Sequence, residues 1–329
     1  MAVDLITLPG LIDSHVHFRV PGQDYKEDWV TGSAAALAGG VTGVVDMPSN
    51  VPPVLTAADL ARKREVITPN AKVEFRLPVG VSDASVQEAL VAQTEACGFK
   101  VFLQPHSTGM WVKDDATLHT LFQGAIKPIM IHDDTGVARI MPFVQQYKKA
   151  TYFCHVSRAS ELSAIAAAKQ AGLPVFAEVT LHHLWLDETN QTLGKRAKVN
   201  PPLRTAADRA ALWQGIRDGS VDTIATDHAP HTLAEKDSPE GAAGFPSIEF
   251  FVPLLFTGVA QGKITVDDIV RCCVTNPTKL FGFSSQRGKI TIDPSAKRVI
   301  TTADIKSKCG WSPYIGFPVV GKVVTIAVP

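Results

Sequence analysis

Short, unbroken apolar runs alternate along the chain with stretches whose apolar residues recur at helical spacing. The runs fall within residues 10–19 and at 41–47, 73–81, 99–103, 129–131, 151–153, 175–177 and 223–226. A strand that is apolar at every position is buried on both faces, which is the pattern of parallel strands covered by helices. Helical patterns occupy the gaps at residues 33–38, 57–65, 84–96, 116–122, 137–148, 159–171 and 207–217, with 248–260 closing the series. Gly39-Gly40 ends the first of these helices, because glycine takes the left-handed cap conformation without cost. Eight strand/helix units over roughly 250 residues predict a (β/α)8 barrel. The alternative is a doubly wound open sheet, but no glycine-rich dinucleotide fingerprint follows the first strand. Residues 288–292 and 319–328 read as strands of a small accessory sheet formed near the chain ends, with an irregular loop at 306–313 between them. The expected division is a barrel over 1–285 and an accessory β segment over 286–329.

Composition narrows the function. Hydrophobic residues make up 45% of the 329 positions and charged residues 19%, which is the balance of a globular chain with a large core. Lys+Arg and Asp+Glu both number 32, so there is no basic excess for nucleic acid or a membrane surface. A small-molecule substrate is the expected partner. Cys97, Cys154, Cys272, Cys273 and Cys309 are odd in number and lack metal-finger spacing, which points to a reducing compartment. With neither a signal-peptide pattern nor an apolar run of membrane length, the expected location is the cytoplasm.

The polar residues that interrupt the apolar runs carry the chemistry. In Asp13-Ser14-His15-Val16-His17 two histidines stand two apart at a strand end, so both imidazoles point to the same face. His132, His155, Glu178 and Asp227 close four later runs. Active sites of this barrel lie at the C-terminal strand ends. A histidine there is often simply hydrogen-bonded structure, and an aspartate often caps the next helix. Together, His15, His17, His132, His155 and Asp227 are better explained as a metal site. Lys100 lies inside the fourth strand, where burial lowers the pKa of an amine and leaves it nucleophilic. Such an amine reacts with carbon dioxide to give a carbamate able to bridge two cations. The alternative is a lysine whose head snorkels out of the barrel mouth.

Several motifs then carry a family likeness over nearly the whole chain. Pro9-Gly10-Leu11-Ile12-Asp13-Ser14-His15-Val16-His17-Phe18-Arg19 with Pro21-Gly22, Gly98-Phe99-Lys100, Cys154-His155-Val156 and Thr226-Asp227-His228-Ala229-Pro230-His231-Thr232 resemble the amidohydrolase superfamily. Within it they are similar to dihydroorotases, the cyclic-amide hydrolases of pyrimidine synthesis, including the dihydroorotase domains of multifunctional polypeptides. The Asp-His-Ala-Pro-His-Thr run separates the sequence from hydantoinases and allantoinases, which differ after Asp-His. Lys198-Val199-Asn200-Pro201-Pro202-Leu203-Arg204, Lys306-Ser307-Lys308 and Trp311-Ser312-Pro313 strengthen the likeness.

The resemblance implies two zinc ions. His15, His17 and Asp227 would bind one, His132 and His155 the other, and carboxylated Lys100 would bridge them. Cys154 and Glu178 match residues tied to a third zinc in animal relatives. The resemblance further implies that Asp227 shuttles the proton and Arg19 clamps the substrate carboxylate, with Asn200 and His231 completing that pocket. Implied partners are a second copy of the chain, aspartate transcarbamoylase or other pyrimidine-pathway domains. The chain starts almost directly at the first barrel strand, which suggests a domain of a longer polypeptide or a short free-standing form.

Four features depart from the family pattern. Val20 stands where an acidic residue is usual, and Ser49 where an asparagine helps hold the substrate carboxylate, with Asn50 adjacent. Asp133-Asp134 follow His132 in place of Ala-Glu, and the segment 104–111, with Ser107-Thr108-Gly109, differs from the relatives' mobile loop. These changes touch substrate grip rather than metal binding. A catalytically inactive dihydroorotase-like structural domain, and another cyclic amidase, are therefore the alternative functions.

Overall fold

The structure is a computed structural model, and it describes residues 4–328 apart from 107, 133, 135 and 287. Its strands are β1 (Ile6–Pro9), β2 (Leu11–Val16), β3 (Val41–Asp46), β4 (Glu74–Arg76), β5 (Val79–Val81), β6 (Phe99–Phe102), β7 (Ile129–His132), β8 (Thr151–Phe153), β9 (Val175–Thr180), β10 (Thr223–Ala225), β11 (Lys289–Val299) and β12 (Pro318–Ala327). The helices between them are α1 (Trp29–Ala38), α2 (Ala57–Ile67), α3 (Val86–Ala92), α4 (Asp115–Gly124), α5 (Gly136–Tyr147), α6 (Ala159–Gln170), α7 (Leu181–Trp185), α8 (Ala206–Asp218), α9 (Leu233–Asp237), α10 (Phe251–Ala260), α11 (Val266–Val270) and α12 (Asn276–Phe281).

Strands β2 to β10 run parallel with helices outside them, as the uninterrupted apolar runs predict. One expected strand, 73–81, is two. β4 pairs with β3, β5 pairs with β6, and Leu77-Pro78 lies between them. Proline has no N–H to continue a ladder, so the third stave changes neighbours at that point. α1 ends at Gly39-Gly40 as expected: Gly40 has φ +78°, and a Cβ there would lie 2.6 Å from Val252 Cγ2. α2 and α8 start with reciprocal capping boxes, Thr56 with Asp59 and Thr205 with Asp208.

Inside the barrel, Lys100, Met130 and Tyr152 stand in one register across β6, β7 and β8. Ile12, Val45, Met130 and Tyr152 form an apolar cluster there, plugged by Phe281 and Phe283 from the end of α12. Lys100 therefore shares the inward-facing layer of these strands.

The seam between the first and last staves is closed by a side chain. Asp13 Oδ1 accepts from the backbone N–H of Thr226 at 3.0 Å and of His15 at 3.2 Å, while Oδ2 accepts from the Thr226 hydroxyl. The His17 N–H adds a bond to His228 O at 2.8 Å. Burial outweighs these donors and raises the Asp13 carboxyl to about 7.

The accessory sheet has the order β1-β11-β12 and is antiparallel, so its third strand comes from the N-terminal end of the chain. It packs on α10, where Val320 N–H donates to Thr257 Oγ1 at 2.8 Å. The loop expected at 306–313 docks onto two buried carboxylates: Ser307 donates to Glu249 and Lys308 N–H to Glu27.

Asp13→Ala leaves three buried donors without an acceptor, and the expected cost is about 3 kcal/mol. Urea unfolding of the metal-free protein measures it, with Thr226→Val, which removes one of those donors, expected to cost less. A loss from Asp13→Ala below about 1 kcal/mol would contradict the seam's importance.

Candidate metal centre

His15 and His17 leave the end of β2 on one face, with ring centroids 5.3 Å apart. Asp227, two residues past β10, reaches the same point: its Oδ1 lies 3.1 Å from His17 Nε2 and 3.5 Å from His15 Nε2. From β7 and β8, His132 and His155 meet with Nδ1 and Nε2 2.6 Å apart, and the His155 ring stands 5.4 Å from that of His15. Lys100 does not snorkel outward. It is fully buried, with Nζ 3.1 Å from Cys154 Sγ and 3.5 Å from His15 Nε2. The structure thus brings His15, His17, Lys100, His132, His155 and Asp227 to one place from five strands.

Backbone strain is concentrated here. Of the described non-glycine residues, Arg19, Lys148, His155 and Asp227 have positive φ, and three of these four line the centre or its cavity. A left-handed conformation costs a side-chain-bearing residue about 1–2 kcal/mol, so it persists where the surrounding structure imposes it.

The ligand orientation is set by Glu178 on β9. Its Oε1 lies 2.8 Å from His15 Nδ1 and accepts from His155 N–H at 2.9 Å. Its Oε2 takes the Tyr152 hydroxyl at 2.6 Å and the Ser14 hydroxyl at 3.3 Å. With Nδ1–H bonded to a carboxylate, His15 turns Nε2 toward the centre. Burial and Lys100 press the His15 pKa down, yet Glu178 and Asp227 outweigh them and raise it to about 10. Their field favours positive charge at this point, whether proton or metal. Burial, with neighbouring cations, holds His17, His132 and His155 well below the ordinary histidine value, and neutral imidazole is the form that binds metal.

Two buried atoms, His155 Nδ1 and Asp227 Oδ1, have no hydrogen bond of good geometry. Nitrogen and oxygen donors left bare in a buried cluster fit a metal better than a hydrogen-bonded core. His15, His17 and Asp227 form one group able to hold an ion, and His15, Cys154 and Glu178 form another, with ligand atoms within 4.8 Å of one another in each.

Above the centre lies a cavity of about 810 Å³. Arg19, Ser49, Asn200 and His231 line it. Arg19 donates through Nε to Pro230 O at 3.2 Å, and its Nη2 lies 3.0 Å from His231 Nε2. Burial, Arg19 and Lys26 push the His231 pKa down to about 3. Trp311 of the docked loop donates Nε1–H to His231 O at 2.7 Å, bracing this wall from behind.

Asn50 does not reach the cavity: its amide is spent on Pro21 O at 3.1 Å and Lys63 Nζ at 2.9 Å. Ser49 does, and its buried hydroxyl has no hydrogen-bond partner. Val20 is buried in the apolar core. Asp134 pairs with Arg204, and Ser107 and Asp133 lie outside the described residues.

Sequence reasoning missed several wall residues, His106 and Lys26 among them. His106 stacks on Phe102 with centroids 4.1 Å apart, and Phe102 in turn meets the His132 ring at 4.6 Å. Lys26 lies buried beside His231 and pairs with Glu235 at 2.8 Å. Both sit on loops following strand-end motifs, and that placement was the available signal.

The parallel barrel with its histidine-rich C-terminal rim has the architecture of the amidohydrolase family. A family model described as "Amidohydrolase family" matches residues 6–113. The chain is 36% identical over 325 residues to "Multifunctional protein CAD" of Squalus acanthias, covering 97% of this chain and 14% of that protein. The chain therefore spans about one seventh of that relative's length. It is 33% identical to "Dihydroorotase" of Pyrococcus furiosus, covering 97% of this chain and 79% of that one. Among solved structures, the "L-Hydantoinase (Dihydropyrimidinase) from Arthrobacter aurescens" superposes with a TM-score of 0.93 at 22% identity, covering 98% and 84%. The "Inactive dihydroorotase-like domain of Chaetomium thermophilum CAD-like multifunctional protein" gives 0.81 at 21% identity, covering 98% and 93%. These two structures share the fold. The chain belongs to the dihydroorotase branch of the amidohydrolase family.

Removing the partner that orients a metal-binding histidine typically weakens binding about 10- to 100-fold. Glu178→Ala is expected to do so here, measured by competition with a chromophoric chelator. Unchanged affinity would show that Glu178 does not set the His15 geometry.

Proposed function

We propose that the chain is a zinc-dependent dihydroorotase, hydrolysing the ring amide of dihydroorotate and, in reverse, closing carbamoyl aspartate. The observation that supports this reading is the meeting of five strand-end ligand candidates and the strand lysine Lys100 beneath a cavity walled by Arg19 and Ser49. His15, His17 and Asp227 would hold one zinc, and His132 and His155 a second. A carboxylate formed by carbon dioxide on Lys100 would bridge them, and a third ion would lie by Cys154 and Glu178. Bound there, zinc supplies Lewis acidity and brings the pKa of a coordinated water down to about 7.

The chain's own groups do the rest. Arg19 pairs with the substrate carboxylate, where a guanidinium offers two parallel donors. The Ser49 hydroxyl supplies a further donor, while His231, beside Arg19, and Asn200 complete the pocket. As water adds to the ring carbonyl carbon, Asp227 takes its proton and hands it to the departing ring nitrogen. In cyclisation the ureido nitrogen attacks the carboxyl carbon, Asp227 takes the proton from that nitrogen and passes it to the departing hydroxyl, and the C–O bond breaks to release water. Phe102 and the stacked His106 form the wall beside His132. The likeness to multifunctional proteins supports neighbouring pyrimidine-pathway domains as partners; aspartate transcarbamoylase would be one of them, and the chain would act as a homodimer.

A zinc measurement followed by an assay of dihydroorotate hydrolysis tests the reading. Asp227→Ala is expected to lower kcat by roughly 10²- to 10⁴-fold. Lys100→Ala is expected to lower bound zinc per chain as well as rate. Stoichiometric zinc without turnover of dihydroorotate, hydantoin or allantoin would overturn the enzyme and leave the non-catalytic scaffold. Zinc content and rate that survive Lys100→Ala would overturn the bridging carboxylate.

A further inference from the structure

Lys63 on α2 is 1% exposed, yet it carries an ammonium. Its Nζ lies 2.7 Å from Asp46 Oδ2 and donates to Met47 O and Asn50 Oδ1, each at 2.9 Å. All three acceptors belong to the end of β3 and the loop that carries Ser49. The same groups reach the neighbouring stave. Asp46 Oδ1 accepts from Phe18 N–H at 2.9 Å, and Asn50 Nδ2 donates to Pro21 O at 3.1 Å. Gly22, with φ +104°, lets the two loops touch, since a Cβ there would collide with Val51 O. One buried cation therefore ties residues 46–50 to residues 18–21, and Arg19 and Ser49 stand on the two tied segments.

A buried ion pair is weak evidence of stabilisation, because apolar residues of similar volume often replace it without loss. Apolar residues would fill the space beside α2 equally well. They would not bond Met47 O or hold the Asn50 amide, so the bonds spent here serve placement. Ser49 shows the need. Its hydroxyl is buried, lines the cavity and has no hydrogen-bond partner among the described residues. A serine side chain is short, and a misplacement of about 1 Å is enough to cost a productive contact.

We propose that Lys63 is a positioning residue for substrate recognition: through Asp46 and Asn50 it holds the Ser49 hydroxyl and the Arg19 guanidinium in register, so that one substrate carboxylate engages both. The proposal rests on the dihydroorotase reading of the cavity. It also explains why Asn50 is unavailable as a substrate ligand, since its amide is a strut between the loops.

Lys63→Met tests the proposal, together with the pair Asp46→Asn/Lys63→Met, which leaves no unpaired buried charge and keeps an acceptor for Phe18 N–H. Two readouts are needed: hydrogen exchange of peptides covering 16–24 and 45–55, and steady-state kinetics of the zinc-loaded protein with dihydroorotate. Exchange is expected to quicken in both peptides, and KM to rise roughly tenfold. kcat should stay within about twofold, and zinc content should not change. A purely local packing role would quicken exchange in α2 alone. Unchanged exchange in both peptides, or an unchanged KM in an active protein, overturns the proposal. If the parent turns over no dihydroorotate, the dihydroorotase reading falls, and the substrate-free exchange result decides the clamp by itself. Should Lys63→Met fail to fold, the double variant carries both readouts.

Discussion

The centre depends on a single buried carboxylate. Glu178 has no exposure, and it gathers His15 Nδ1, His155 N–H, the Tyr152 hydroxyl and the Ser14 hydroxyl onto its two oxygens. An uncompensated charge at such depth would be prohibitive, and four partners from β2, β8 and the turn after β8 make it tolerable. Three consequences follow from that one group. His15 is fixed with Nε2 toward the centre, the β8–β9 edge is tied across the barrel to β2, and the local field favours a positive charge among the histidines. Asp13 does the corresponding work at the seam, placing His15 and Thr226 relative to each other just before Asp227.

Much of this was legible from the chain alone, for physical reasons that also mark where legibility ends. Parallel strands covered on both faces produce apolar runs, and strand periodicity of two makes the polar residue closing each run point at the barrel mouth. That logic places His15, His17, His132, His155 and Asp227 together without a structure. It does not reach pairing choices. Pro78 splits a stave by changing which neighbour each half bonds to, and β1 is four residues separated from β2 by Gly10 alone. The run from α11 to α12 was also hidden, because a π-helical turn at Arg271–Thr275 interrupts the helical period between them.

The walls of the cavity were less legible, because loops build them. His106, Lys26 and Trp311 lie in segments without periodicity, and their positions follow from tertiary contacts. Asn50 illustrates the limit. Its place beside Ser49 made it a natural substitute ligand, but a lysine 13 residues later takes its side chain. Nothing in local sequence spacing announces that α2 will send a cation back to the end of β3. The cavity walls of this barrel thus rest on long-range polar contacts, whereas strand geometry brings the ligand candidates together and Glu178 then orients His15.

The left-handed backbone at Arg19, His155 and Asp227 has a bearing on how the centre is aimed. Each of these residues would sit more comfortably in its conformation as glycine, so together they hold a few kcal/mol of strain, at about 1–2 kcal/mol each. Glycine at these positions would relieve that strain, but it would have more backbone freedom to lose on folding and would forfeit the side-chain contacts of Arg19 and His155. The strained turns thus aim three chemically different side chains at one place, with the cost carried by the backbone rather than by the ligands.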